Sequence, residues 1–317
     1  MAEPLTLPEG YTQRPLTIDD AERIAAVMGA EELADTGEVA VETADLVADW
    51  SEPSYDLGAH SVGVIGPAGE LVAYAEAYGT DRGDAAVHPD HHGLGIGTAL
   101  ARWIVARAGE LGAERIGMPK PVGSPGDKLL EALGWEARWT SWVLELPDGR
   151  SIPDRPLPAG YRIREAGGGD YEQAWDVVET AFLEWSVRQR QPFEKWLHHV
   201  VGRPGFESWN LRVATDASGS VVGAVVIVLA RLDDTTREGY VDKVAVRRDQ
   251  RGLGLGQALL AESFATARTH GAARSRLATD SRTGALSLYE KVGMQVVQEW
   301  VNRAAVTGVG VPETTPQ

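Results

Sequence analysis

The 317 residues predict two α/β domains in tandem, each of the α+β type, with a mixed, mainly antiparallel twisted sheet flanked by helices. Three observations carry that expectation. The chain repeats itself, apolar β-branched runs alternate with stretches of helical spacing, and a proline-rich break interrupts it near the middle.

The repeat is the strongest of the three. Pro8-Glu9-Gly10-Tyr11 recurs as Pro158-Ala159-Gly160-Tyr161, and Gly69-Glu70-Leu71-Val72 as Gly219-Ser220-Val221-Val222, both at an offset of 150. Further along, the offset becomes 159. His92-Gly93-Leu94-Gly95-Ile96-Gly97 matches Arg251-Gly252-Leu253-Gly254-Leu255-Gly256, and Leu129-Leu130-Glu131 matches Leu288-Tyr289-Glu290. A run of matches in two fixed registers is a duplication. The offsets differ by 159 − 150 = 9, which places a nine-residue insertion in the second half, between the strand at Val222 and the glycine-rich turn.

The expected division is a first domain over 1–146, a linker over 147–158, a second domain over 159–307 and a disordered tail over 308–317. Pro147, Pro153, Pro156 and Pro158 make the linker unfit for a helix or a central strand. Within the second half, Ala174, Trp175, Val178, Ala181 and Phe182 have helical spacing. Arg212 to Thr215 and Val221 to Ala230 read as strands paired around Ala217-Ser218-Gly219, and Val241 to Arg247 as another strand. Gln257 to His270 reads as a helix stopped by Gly271. The first half reads alike, except that Met118 to Pro125 is expected to be a proline-broken loop where its copy has a strand.

With 46 Asp and Glu against 30 Lys and Arg, the net charge is −16. Such a chain gains nothing from counterion release on nucleic acid, and anionic membranes are disfavoured, whereas a cationic amine is tolerated or attracted; the plain alternative is that the acidity serves solubility. There is no cysteine, which excludes disulfides, thiolate metal sites and a cysteine nucleophile. The start, Met-Ala-Glu-Pro-Leu-Thr, lacks the basic and apolar regions of a signal peptide. The longest apolar run, Val221 to Ala230, covers half of a membrane span. A cytoplasmic protein, monomeric or homodimeric, is expected.

Val244-Ala245-Val246 leads through Arg247 to Arg251 into Gly252-Leu253-Gly254-Leu255-Gly256 and then a helix. Glycines let the main chain approach an anion, and the helix start offers unpaired N–H groups, so the turn suits a pyrophosphate. It is not a Rossmann fingerprint, because its glycines alternate as G-x-G-x-G, nor a Walker loop, because no G-K-[ST] follows. A glycine-rich turn without a ligand is the plain alternative.

Arg251-x-x-Gly254-x-Gly256 after Val244-Ala245-Val246 resembles the coenzyme-A-binding motif of the GNAT superfamily of N-acetyltransferases. Ser281-x-x-x-Ala285-x-x-Leu288-Tyr289-x-x-x-Gly293-Met294 resembles the companion motif of that superfamily. The tandem pair resembles, in architecture, mycothiol synthases and related two-domain acyltransferases. The resemblance implies acetyl-CoA as donor, with no metal, and an amine as acceptor. It assigns the cofactor to Val244, Ala245, Val246, Arg251, Gly252, Leu253, Gly254, Leu255, Gly256, Gln257, Ser281 and Ala285, and places Tyr289 beside the thioester sulfur.

Acyl transfer to an amine needs a neutral acceptor, a stabilised carbonyl oxygen and a proton for the departing thiolate. Tyr289 is the candidate general acid: a phenol of pKa about 10 can serve a thiol of pKa about 8.5. Its plain alternative is a core tyrosine. Asp242 is the candidate base, at the strand parity of Val244 and Val246, with Glu238 as an alternative and a solvated strand residue as the plain reading. The first half has Leu130 in place of Tyr289 and His92 in place of Arg251, so it is expected to be degenerate. Its Val87, His92, Gly93, Leu94, Gly95, Ile96, Gly97 and Thr98 form a possible second cofactor site.

His88, His91 and His92 crowd together without a patterned carboxylate or thiolate, so no metal is expected there, and His198-His199 reads as a helix-end pair. Among Trp175, Trp185, Trp196 and Trp209 core roles are expected, with Phe182, Trp185 or Trp196 as candidates for the acceptor wall. The leading expectation is N-acetylation of a small-molecule amine. Acetylation of a protein or peptide, and a CoA-binding regulator without turnover, are the alternatives.

Overall fold

A computed structural model describes residues 5–52, 55–78, 81–231 and 236–308. The chain separates into two compact units, Met1–Thr140 with Glu299–Gln317, and Ser141–Gln298. The order of elements in the first half is β1 (Thr12–Arg14), α1 (Ala21–Thr36), α2 (Thr43–Trp50), α3 (Leu57–His60), β2 (Ser61–Ile65), β3 (Leu71–Tyr78), β4 (Arg82–Val87), α4 (Ile96–Glu110), β5 (Arg115–Pro121), α5 (Pro125–Ala132) and β6 (Glu136–Glu145). The second half runs β7 (Arg162–Glu165), α6 (Tyr171–Phe182), α7 (Phe193–Val200), β8 (Leu211–Thr215), β9 (Val221–Arg231), β10 (Arg237–Val246), α8 (Leu255–Thr269), β11 (Arg274–Asp280), α9 (Leu286–Lys291) and β12 (Gln295–Val306).

The compact units follow a different division from the repeat. In the first unit the strands run β1-β2-β3-β4-β5 and end on β12, whose Trp300 to Val306 pair antiparallel with β5. In the second they run β7-β8-β9-β10-β11 and end on β6, whose Ser141 to Glu145 pair antiparallel with β11. Each sheet therefore takes its last strand from the other half of the chain. That moves the boundary from the expected 146/159 to Thr140/Ser141, with a second crossing at Gln298/Glu299. The cause lies in the duplication: Glu136 and Gln295, which start the two strands, are copies at the offset of 159, so either strand suits either edge. The 147–158 segment has neither helix nor strand. The tail expected to be disordered lies outside the described residues beyond Gly308.

Both faces of the second sheet are covered, which explains the unbroken apolar run from Val221 to Ile227. Val225 and Ile227 pack under α8 with Leu255, Leu259 and Phe264. Ala224 and Val226 face the other way, with Val177 and Val178 of α6 and Trp196 of α7. The first unit repeats this arrangement, with Ile96, Leu100 and Ile104 of α4 on one side and Ile24 and Val27 of α1 on the other. Among the described residues no helix is long and apolar enough to cross a membrane.

One expected loop is a strand. Met118 to Pro121 belong to β5 despite Pro119 and Pro121. Val122 N–H donates to Glu299 O at 2.9 Å, so hydrogen-bonded positions on that side are the even-numbered ones. Pro119 and Pro121 thus aim their missing N–H groups at β4, which pairs with β5 only at Arg82 and Gly117. No ladder bond is lost.

Candidate active site

The nine extra residues of the second half resolve into two parts. Between the matched pairs Ala77↔Gly83 and Ile227↔Val241, the first hairpin has 78–82 and the second 228–240, eight residues more. The ninth is Asp242, which stands as a β-bulge between Val241 and Lys243, where β4 has none. A bulge shifts side-chain parity and bends the strand. Val241 therefore shares the α8 face with Val244 and Val246, while Lys243 and Ala245 face the other way. The parity expected to align Asp242 with Val244 and Val246 is broken at Asp242 itself. Asp242 does not line the cleft described below; its carboxylate, 40 % exposed, pairs with the Lys243 ammonium. Glu238, the alternative base, is buried near Arg276 and is also outside the cleft lining.

The bulge also marks where the sheet opens. β10 and β11 pair in parallel from Glu238 to Val241, and no further. Beyond that point β10 remains paired with β9 alone. Arg247 N–H donates to Val222 O at 2.8 Å, so residues 243, 245 and 247 direct their main-chain groups at β9. By alternation, the N–H and C=O groups of Val244 and Val246 face the open side. Among the described residues, Val246 N–H and Val244 C=O meet no protein partner there.

From Val246 the chain turns through two left-handed glycines, Gly252 (φ 81°) and Gly254 (φ 83°), the second being the N-cap of α8. Ala258 N–H makes the first helical bond, to Gly254 O, so the N–H groups of Leu255, Gly256 and Gln257 have no acceptor within the helix. Arg251 braces the turn. Its Nε donates to Val246 O at 3.1 Å, and its two Nη atoms bind Glu184 at 2.7 and 2.8 Å. The guanidinium in turn holds the Glu184 carboxyl below the usual carboxylate range.

These groups surround a cleft of about 540 Å³. Of the residues assigned to the cofactor from sequence, Val244, Ala245, Val246, Arg251, Gly252, Gly254, Leu255, Gly256, Gln257 and Ala285 line it; Leu253 and Ser281 do not. Tyr289 of α9 lines it too, 7 % exposed, its ring among Val292, Met294 and Leu255. Burial pushes its phenol up to about 12, above the value of about 10 expected of a free phenol. It is thus protonated at every physiological pH. Phe182 and Trp185 complete the apolar wall, with the Arg282 guanidinium 4.9 Å from the Trp185 ring centre. Trp175, Trp196 and Trp209 pack elsewhere, the last stacked on His270 at 4.3 Å.

The first unit keeps the turn and the parting of the strands, but fills the exposed edge. Gly93 and Gly95 are left-handed (φ 76° and 85°), and His92 Nε2 donates to Val87 O at 2.8 Å, as Arg251 does to Val246. Val87, His92, Gly93, Gly95, Ile96, Gly97 and Thr98 line a cavity of about 370 Å³, from which Leu94 is absent. Leu130, 2 % exposed, stands in the place of Tyr289. His88 N–H donates to Val72 O, so Ala85 and Val87 face the open side. Here both exposed groups are taken. The Lys120 ammonium donates to Ala85 O at 2.7 Å and to Glu31 at 2.7 Å, and Glu31 Oε1 accepts from Val87 N–H at 3.3 Å. His91 is occupied by the Tyr11 hydroxyl at 2.8 Å.

The model of the acetyltransferase (GNAT) family matches residues 28–124 and again 172–294, once on each repeat. The chain belongs to the acetyltransferase (GNAT) family. It is accordingly an acyltransferase that uses acyl-CoA and an amine acceptor. A mycothiol acetyltransferase of Salinispora arenicola is 30% identical over 74% of this chain and 78% of its own length. A GCN5-related N-acetyltransferase from Sphaerobacter thermophilus has a TM-score of 0.78 at 27% identity, covering 98% of this chain and 100% of its own. A tandem GNAT protein from the clavulanic acid biosynthesis pathway shares the fold, with a TM-score of 0.70 at 18% identity over 95% of this chain and 100% of its own.

Sequence reasoning missed four residues of this acyltransferase. Arg155, in the segment joining the repeats, lines the second cleft, and Glu184 anchors Arg251. Glu31 and Lys120 are 89 positions apart, so no local pattern announces their pairing. Arg155 did leave a faint signal, being a cation in the proline-rich stretch between the apolar Ile152 and Leu157.

Proposed function

We propose that the second cleft transfers an acetyl group from acetyl-CoA to a primary amine of a small molecule by direct attack. The observation that carries this reading is the coincidence, in one cleft, of a strand edge open at Val244 C=O and Val246 N–H, a helix start with unpaired N–H groups and the Tyr289 side chain. The helix start takes the pyrophosphate, and the strand edge takes the amides of the carrier arm. As the amine nitrogen bonds to the thioester carbon, the carbonyl oxygen gains charge, which a main-chain N–H of the open edge stabilises. Collapse breaks the carbon–sulfur bond, and the thiolate leaves with the Tyr289 hydroxyl donating to it. A phenol held near 12 favours hydrogen-bond donation over complete early proton release. The amine proton passes to solvent water, since Asp242 and Glu238 both lie outside the cleft lining. The name mycothiol acetyltransferase, borne by the relatives, supports a small-molecule acceptor over a protein.

The test is thiol release from acetyl-CoA across a panel of amines with the full chain. Amine-dependent release is expected. Tight CoA binding with no amine-dependent release would favour a regulator that binds the carrier without turnover.

A further inference from the structure

We propose that Arg155, carried by the segment joining the two repeats, grips the pyrophosphate of acyl-CoA over the glycine turn of the second cleft. This rests on the reading of that cleft as the acyl-CoA site.

The segment is fastened at three points around this residue. Ile152 is buried and Leu157 half-buried in the core beneath α8, and Pro153 O accepts from Gln257 Nε2 at 2.7 Å. Between these anchors the Arg155 side chain crosses Gly254: a Cβ built on that glycine would meet Arg155 Cδ and Nε at 2.5 Å. The N-cap glycine of α8 is therefore covered by a guanidinium stem, and the guanidinium lies at the cleft wall.

Its charge is uncommitted. Three arginines line the cleft, and two are neutralised: Arg251 by Glu184, and Arg282 by Asp280. Among the described residues Arg155 has no carboxylate partner. In a chain of net charge −16, an exposed cation left unpaired beside unpaired helix N–H groups matches a ligand bearing two adjacent negative charges. The first turn has no equivalent. At the offset of 150 the position of Arg155 is held by Leu5, which packs on the first core.

Calorimetry on the full chain with CoA and with dephospho-CoA, which lacks the 3′-phosphate, tests this. Arg155→Met keeps the stem on Gly254 and removes the charge; it should weaken both ligands about tenfold, the size of one charge-assisted hydrogen bond. Arg155→Lys should recover part of the loss. In Arg155→Met, kcat/KM for acetyl-CoA should fall by the same factor, because a contact far from the thioester acts equally on ground and transition states. Unchanged affinity in Arg155→Met overturns the proposal. A loss confined to CoA and absent with dephospho-CoA moves the guanidinium to the 3′-phosphate and overturns the pyrophosphate assignment. Failure of the unaltered chain to bind either ligand is a different result: it removes the carrier reading of the cleft, and this inference with it.

Discussion

The two clefts share a phosphate-type turn and differ in what stands behind it. Both turns place two glycines in the left-handed region and brace the end of a strand with a side-chain nitrogen, His92 in one and Arg251 in the other. Behind the second turn, β10 and β11 part beyond Val241 and leave Val244 C=O and Val246 N–H open, among the described residues. Behind the first, the corresponding groups of Ala85 and Val87 are bound to Lys120 and Glu31. A glycine turn alone thus does not make an acyl-carrier site. The strand edge must also be free, and a single buried ion pair is enough to occupy it.

The largest effect expected from breaking this comparison comes from cutting the chain at the linker. A fragment covering 147–307 follows the repeat but lacks β6, whose Leu144 and the following Leu146 are fully or nearly fully buried in the second core. It also loses Glu145, which accepts from Arg274 at 2.7 Å and Arg276 at 2.6 Å. Two buried leucines are worth about 2 kcal/mol each, and the stranded guanidiniums add to that, against a domain stability of about 5–15 kcal/mol. By circular dichroism, 147–307 should show no cooperative melt, whereas 136–298, which keeps β6, should. The reverse order would mean that the repeat, and not the strand-exchanged unit, is the folding unit.

Next comes the ion pair of the first cleft. Burial pulls the Lys120 pKa down, but the carboxylates of Glu31, Asp84 and Asp35 more than offset it, so the net shift is upward and the ammonium is retained. Lys120→Met alone strands Glu31, whose side chain is 16 % exposed, and should cost about 3 kcal/mol. Glu31→Leu with Lys120→Met removes both charges and should recover most of that loss. The double variant also frees Ala85 O and Val87 N–H. A second equivalent of CoA bound by calorimetry, absent in the unaltered chain, would show that the pair is what keeps the first cleft closed. Two equivalents in the unaltered chain would show that it is not.

How much of this was legible depends on how local each feature is. The duplication, both glycine turns and the exchange of Tyr289 for Leu130 are short motifs, and the sequence displays them directly. The insertion was visible as nine residues, but not as eight in a hairpin and one in a bulge, because register is settled by cross-strand pairing. The strand exchange was hidden by the repeat itself, since β6 and β12 carry matched patterns. Pro119 and Pro121 misled for a related reason. Which edge a proline presents cannot be read until its neighbours are placed.

The smallest effect, and the most specific, concerns the phenol. Tyr289→Phe keeps the ring in its buried setting and deletes only the hydroxyl, so the fold and the affinity for acetyl-CoA should hold while kcat falls about a hundredfold, the usual yield of one positioned proton donor. Leu130→Tyr restores a phenol in the first cleft but neither the bulge nor the free edge, and turnover should not change. The pH profile separates a donor from a packing group. With the folded phenol near 12 and an unfolded value near 10, Tyr289 stabilises the fold below pH 10, and that contribution drains away as pH rises from 10 to 12. Over pH 7 to 9 it stays protonated, so the rate should climb as the amine acceptor deprotonates, with no descending limb from the enzyme. A descending limb in that range, absent from Tyr289→Phe, would mean the hydroxyl ionises far more readily than its burial allows and would remove it as the acid.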